Sequence, residues 1–498
     1  MITLNASSLN QIADASGAPA VPTYDLAQRQ VGIVHFGVGG FHRAHQALYL
    51  DRLMNDGEAM DWAICGVGLL PGDARMRDAL LPQDTLYTLV TKAPDGSRDA
   101  RVIGTLAEYL FAPDDPEAVL TRMTDPAVRI VSLTVTEGGY NYNASTGEFQ
   151  FETPAVSEDL EADFASGATP KTMFGYVIEA LRRRREAGEQ AFTVLSCDNV
   201  RGNGDLARRM LLAYAQRKDP ELGEWIAEHV TFPNCMVDRI TPVTADSDRA
   251  MVAESFGVQD AWPVVSEDFI QWVLEDRFPA GRPAFERVGV QMVDDVEPYE
   301  LMKLRLLNCS HQAIAYFGLL LGHTYAHEAV NDEDLARFTR KSYMDDEGTP
   351  AVGEVPGTDL EQYKDQLMER FGNEYVADAL ARLAAESSDR IPTWLVPVIR
   401  ENLAAGRDVT ASAAIVASWA RYAEGVGENG EQWDVVDRQR ERVMARAATH
   451  DEDLLAFLRD EELFGDLVEQ SAFTEPYAEA LKTLRAEGAR VLLQQIVA

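Results

Sequence analysis

The feature that most constrains the fold is a short apolar run that breaks on glycines and restarts at once as a helix. Val31-Gly-Ile-Val-His-Phe36 reads as a buried strand, and Gly37-Val-Gly-Gly-Phe-His-Arg-Ala44 turns it. A helix follows to about Met54, and Trp62-Ala-Ile-Cys-Gly-Val67 is the next strand. Further strand signals are Leu86–Thr91, Val102–Ile103, Arg129–Val135 and Ala191–Ser196, several of them separated by helical segments. That rhythm is the one a mostly parallel sheet produces. From about residue 294 the pattern changes to long helical runs over 301–321, 361–386, 393–404, 409–424 and 475–495. The expected fold class is therefore α/β, with an α/β domain over 1–293 and a mainly α-helical domain over 294–498. Gly348–Gly357, rich in Gly and Pro, reads as a loop within the second domain.

The bulk numbers bound the function classes. A chain of 498 residues exceeds what one simple core supports, which agrees with two domains. The formal charge of −36 argues against nucleic-acid and anionic-membrane partners. No apolar run reaches the roughly 20 residues that span a bilayer. The first residues lack a basic region and an apolar core of a secretory signal, so cytoplasmic location is the expectation. Cys65, Cys197, Cys235 and Cys309 are widely spaced, with no C-x-x-C pair, and are expected as reduced thiols. Arg182–Arg185, the basic run, falls at the end of an amphipathic helix over Phe174–Glu186 and reads as a solvated helix terminus.

Gly37-x-Gly39 after a strand and opening a helix fits a dinucleotide-binding turn, because glycine lets backbone N–H groups approach a pyrophosphate. The third glycine of the usual fingerprint is absent: position 42 is His and Ala44 follows. The first domain is thus expected to be Rossmann-like, with Gly37, Val38, Gly39, Gly40, Phe41, His42 and Arg43 forming the turn. Asp73, beyond the second strand, is placed to accept ribose hydroxyls and to favour NAD over NADP, with Arg75 nearby tempering that preference.

In the second domain, Met302-Lys-Leu-Arg-Leu-Leu-Asn-Cys-Ser-His311 opens a long apolar helix. At about 100° per residue, Lys303, Asn308 and His311 point to roughly 0°, 140° and 80°. Burying an ammonium is costly. Lys303 either snorkels or pairs with a carboxylate such as Glu300, or it transfers protons with two polar helpers. Asn199 in Ser196-Cys-Asp-Asn199 follows a strand; it either donates to a reacting oxygen or forms an Asx turn opening the next helix. Asp238 reads equally as a hydroxyl-binding carboxylate or as half of an Asp238–Arg239 structural arrangement. His323 and His327 have i, i+4 spacing without the glutamate of a metalloprotease helix, and His42 and His45 lie in the nucleotide helix. No metal site is expected.

Together these segments resemble the long-chain polyol-specific dehydrogenase family. The matching stretches are Gly37–Gln46, Ser132–Tyr140, Ser196–Asn199, Phe232–Pro242, Trp272–Asp276 and the Lys303-x4-Asn308-x2-His311 signature. The resemblance implies a zinc-independent, NAD-dependent, reversible oxidation of D-mannitol to D-fructose, with fructuronate reduction or D-arabinitol oxidation as alternatives. It implies Lys303 as general acid/base, Asn199 and Asn308 as donors to the reacting oxygen, and His311 as the residue orienting substrate. Glu300 falls where the family has a glutamate on a water path for the lysine's proton. Asp238, Arg382 and Arg390 fall where the substrate is held; the family usually has lysine at the position of Arg390. Gly72-Asp73 keeps the NAD-selecting aspartate and loses an acid before it. A lysine base needs a pKa lowered from about 10.4 toward 7–8, which burial favours. The resemblance also implies a monomer with a small polyol or ketose as its partner.

Overall fold

A computed structural model describes residues 1–143 and 146–498. It contains two compact units, one of residues 1–93 with 97–296 and one of residues 94–96 with 297–498.

Five parallel strands form the heart of the first unit: β1 (Val31–Phe36), β2 (Ala63–Gly68), β3 (Leu106–Phe111), β4 (Ile130–Leu133) and β5 (Thr193–Ser196). Their spatial order is β3-β2-β1-β4-β5. The residues of β1 are all buried, since both faces of the sheet are covered. Val34, Phe36, Cys65, Val67, Val131 and Leu133 share one core with the helices Pro116–Thr124, Met173–Ala187 and Asn203–Lys218. Ile33, Ile64, Ile130 and Leu195 face the opposite core with helix Gln46–Asn55 and Trp272. The order reverses between β1 and β4, which leaves a crevice at the carboxyl ends of those strands.

Two readings of this region need correction, and one strand lies outside them. The segments at 86–91 and 102–103 are not in the parallel sheet. Tyr87–Lys92 and Arg98–Ile103 pair antiparallel, and Val264–Glu267 joins the first of them in a separate three-stranded sheet. Strand β3 gave no clear sequence signal, its apolar run being interrupted by Glu108. The Arg182–Arg185 run is only in part a solvated end, with Arg185 exposed and Arg182 and Arg183 half-buried. Arg184 is buried and donates to the carbonyls of Gln190, Met123 and Asp125, while Arg182 and Arg183 both bond the Glu179 carboxylate.

The second unit is helical. Helix Thr410–Tyr422 is buried along nearly its whole length and packs against Ser471–Ala486 and Cys309–Leu320. Its alanines let neighbouring backbones approach closely. The run expected over 361–386 ends at Phe371, and Leu380–Leu383 is a separate short turn. Gly348–Gly357 is not wholly a loop: Thr349–Val352 is helical, with Pro350 tolerated in its first turn, and the chain leaves the helix at Gly353 (φ +77°). Among the described residues no helix is long and apolar enough to cross a membrane. The four cysteines are free and buried.

Candidate functional site

The glycine turn is dictated by the strand it follows. Gly37 has φ +94°, and a Cβ there would lie 2.0 Å from the Thr134 carbonyl oxygen, so any side chain is excluded. The Gly39 amide donates to the Gly37 carbonyl at 2.7 Å, and helix Gly40–Ala44 starts at once. At Gly39 the nearest atom to a built Cβ is 3.9 Å away, leaving the backbone approachable. The helix breaks at His45 and resumes over Gln46–Asn55. Thr134 Oγ1 donates to the Gly37 carbonyl at 2.6 Å, tying this turn to the loop after β4.

Not every residue of the expected turn presents its side chain to that surface. His42 is buried and stacks on His35, with ring centroids 3.4 Å apart. His35 bonds Ser132 Oγ and Thr134 Oγ1, and burial lowers its pKa to about 3, keeping it neutral. Arg43 is fully buried; its Nη1 donates to the Trp262 carbonyl at 2.5 Å and its guanidinium lies over the Tyr87 ring. Phe41 and Gly40 are half-buried and Val38 is buried. His45 bonds the Gln271 carbonyl at 2.8 Å.

Asp73 lies just past the carboxyl end of β2, where its Oδ2 accepts the amides of Leu69 and Leu70, both at 2.8 Å. Asn199 is exposed three residues beyond β5, and the following helix begins at Asn203. Asp238 is buried at the end of strand Cys235–Asp238, opposite Gln271. Arg239 donates to the carbonyls of Glu267 and Ala44.

In the second unit the rod from Glu297 to Leu320 is not one regular helix. Glu297–Met302 and Cys309–Leu320 are α-helical, whereas Lys303–Asn308 forms a π turn in which the Cys309 amide reaches the Leu304 carbonyl, five residues back. The angles assigned from an ideal α-helix therefore do not hold here. The wider i→i+5 turn brings Lys303 and Asn308 toward a common face, and such turns concentrate at functional sites. Glu300, Lys303 and Asn308 are all buried, while His311 is half-buried with its ring against Phe371 at 4.7 Å. Arg305 anchors the turn, bonding the Ala351 carbonyl and Glu401, while Tyr343 Oη donates to the Arg305 carbonyl at 2.8 Å.

Arg382 is exposed and doubly bonded to Asp378, Nε to Oδ1 at 2.7 Å and Nη2 to Oδ2 at 2.5 Å. Arg390 donates to the Leu383 carbonyl at 2.8 Å and lies over the Trp394 ring. His323 and His327 do not share a helix: a new one starts at Ala326, and His323 faces Asp332. Among the described residues no three His, Cys, Asp or Glu side chains gather as a metal site.

A sequence model of the mannitol dehydrogenase Rossmann domain matches residues 31–287, and one of the mannitol dehydrogenase C-terminal domain matches residues 295–485. The chain belongs to the mannitol dehydrogenase family. It is 45% identical over 99% of its length to the mannitol 2-dehydrogenase of Phaeosphaeria nodorum, covering 85% of that protein. The mannitol 2-dehydrogenase of Aspergillus fumigatus is 45% identical over 98% of the chain, with 97% of that protein covered. Among solved structures, the chain is similar to Pseudomonas fluorescens mannitol 2-dehydrogenase in ternary complex with NAD and D-mannitol. The TM-score is 0.88 at 44% identity, covering 100% of this chain and 99% of that one. A D-sorbitol dehydrogenase in substrate-free form is similar with TM-score 0.89 and 38% identity, covering 99% and 100%.

Within this member of the mannitol dehydrogenase family, the residues missed in the sequence are those that hold the candidates. Asp378, four residues before Arg382, could have been found from its i, i+4 spacing. Thr134 and Asp198 carry no such signal, because their partners Gly37 and Thr136 are distant in sequence.

Proposed function

We propose that the protein is an NAD-dependent polyol dehydrogenase that oxidises D-mannitol at C2 to D-fructose, reversibly and without zinc. The observation that carries this reading is near-full-length identity with proteins named mannitol 2-dehydrogenase, one of them solved with NAD and D-mannitol. The glycine turn fits the cofactor: Gly37 and Gly39 leave no side chain in the way of a pyrophosphate, and Asp73 keeps a carboxylate beside β2 for the ribose. Because His42 and Arg43 are buried, their contribution to that turn is through backbone alone. NAD, when bound, supplies the acceptor for the C2 hydride.

Lys303 takes the proton of the C2 hydroxyl as the hydride leaves. Lys303 is buried in the π turn, and to act as a base it must be the free amine. Asn308, five residues on in the π turn, donates to the oxygen that gains charge, and Asn199 is the second donor. Each donor is worth about 10²–10³-fold in kcat if it behaves as oxyanion donors do elsewhere. His311 orients the substrate, Glu300 passes the lysine's proton toward water, and Asp238 accepts from substrate hydroxyls. Arg382 and Arg390 grip the polyol. The Asp378 carboxylate neutralises Arg382, which leaves guanidinium N–H groups suited to neutral hydroxyls rather than a net charge for a uronate. The free thiols support a reducing compartment, the cytoplasm. A monomer of 55.0 kDa is the expected mass in light scattering.

The test is Lys303→Ala. A positioned base is typically worth about 10²–10⁴-fold, so kcat falls by that factor while NADH binding is retained. Normal turnover by this variant would rule out the lysine mechanism.

A further inference from the structure

The loop after β4 and the segment after β5 are joined by a buried carboxylate that no step of the reaction uses. Asp198 accepts the Thr136 amide on Oδ1 at 2.7 Å, and on Oδ2 the Val135 amide at 3.1 Å and Tyr140 Oη at 2.7 Å. Tyr140, itself fully buried, also bonds Ser196 Oγ at 2.5 Å. The Asp198 carbonyl is held separately: Asn203 Nδ2 donates to it at 3.0 Å and to the Cys235 carbonyl at 2.8 Å. The residue immediately before Asn199 is thus fixed through both side chain and backbone.

The loop on the other side of this contact is built to meet it. Thr136 has φ +63°, a left-handed conformation that a β-branched residue adopts only when its surroundings impose it. That conformation aims two successive amides at one carboxylate. Thr134 in the same loop bonds the Gly37 carbonyl. The loop Thr134–Thr136 therefore bridges the two sites, hydrogen-bonded at one end to the dinucleotide turn and at the other to Asp198, which one peptide bond joins to Asn199.

We infer that Asp198, supported by Tyr140, is a positioning residue that holds Asn199 where it donates to the reacting oxygen. The inference rests on the role given to Asn199 above. Asp198 acts through its neighbour, since its oxygens are engaged by the loop. An asparagine at position 198 has nearly the same shape but replaces one acceptor oxygen by an N–H donor facing donors already there.

A double-mutant cycle in the whole chain tests this, with kcat for D-mannitol oxidation measured for Asp198→Asn, Asn199→Ala and the pair. Small misplacement of a reacting group costs up to about 10²-fold, so Asp198→Asn lowers kcat by roughly ten- to a hundred-fold, with KM for NAD nearly unchanged. In the Asn199→Ala background the same substitution has no further effect. An equal loss in both backgrounds, or no loss in either, overturns the inference. Full kcat in Asn199→Ala alone overturns the role of Asn199 itself, and the inference with it. If Asp198→Asn does not fold, Tyr140→Phe carries the same cycle with the same outcomes.

Discussion

Gly37 is the residue of the glycine turn at which the backbone leaves least room for a side chain. Gly37→Ala places a Cβ 2.0 Å from the Thr134 carbonyl oxygen at a position with φ +94°, so the backbone of the turn or of the β4 loop has to shift. Strain of this kind costs about 1–3 kcal/mol per residue, so the variant is less stable by at least that amount in denaturant unfolding. It also binds NADH more weakly in a fluorescence titration; unchanged affinity would separate the turn from the cofactor. At this scale, residue types were legible and their surroundings were not. The GxG turn and Lys303 stood out because glycine and a buried cation each violate a local rule. Asp198, Asp378 and Thr134 violate none, and their importance comes from partners that only the fold supplies. His42 and Arg43 show the converse, since their positions in the motif gave no sign that their side chains turn inward.

Two π segments distinguish the helical unit, Lys303–Asn308 and Phe338–Gly348. An extra residue in a helical turn leaves no mark on hydrophobic periodicity over so short a span, which is why the phase of Lys303 against Asn308 was misread from sequence. Elements existed where the pattern placed them from β1 and β2 to the helix at 410, but the run expected over 475–495 is two helices, Ser471–Ala486 and Ala489–Val497, parted at Gly488 (φ +90°). Short strands interrupted by charge, such as β3, were lost. Glu347, the last residue but one of the second π segment, accepts the Ala411 amide at 2.6 Å and the Ser412 amide at 2.8 Å on its carboxylate, at the start of helix Thr410–Tyr422. Burial raises its pKa from 4.5 to about 8, outweighing those donors. The folded state then keeps a proton that the unfolded chain releases, so this contribution to stability is complete below pH 4.5 and is lost as pH rises through about 8. Thermal unfolding across that window is expected to show Tm falling with pH, and Glu347→Gln to flatten the slope. A slope unchanged in the variant would assign the effect elsewhere.

Over the whole molecule, 81 acidic residues face 45 basic ones. That imbalance repels itself and is screened by salt, the Debye length shrinking from about 10 Å at 0.1 M to about 3 Å at 1 M. Tm is therefore expected to rise with sodium chloride over that range, and a flat or falling Tm would show the acidic groups to be locally compensated. The charge that excluded nucleic acid says nothing about which polyol enters, and a solved D-sorbitol dehydrogenase of similar fold makes that choice the open one. The most direct measurement is steady-state NADH formation from NAD with D-mannitol, D-sorbitol and D-arabinitol, and NADH consumption with D-fructose and D-fructuronate, with and without a chelator. The expected result is the highest kcat/KM for D-mannitol and D-fructose, unchanged by the chelator. Preference for fructuronate, or activity abolished by the chelator, would contradict it.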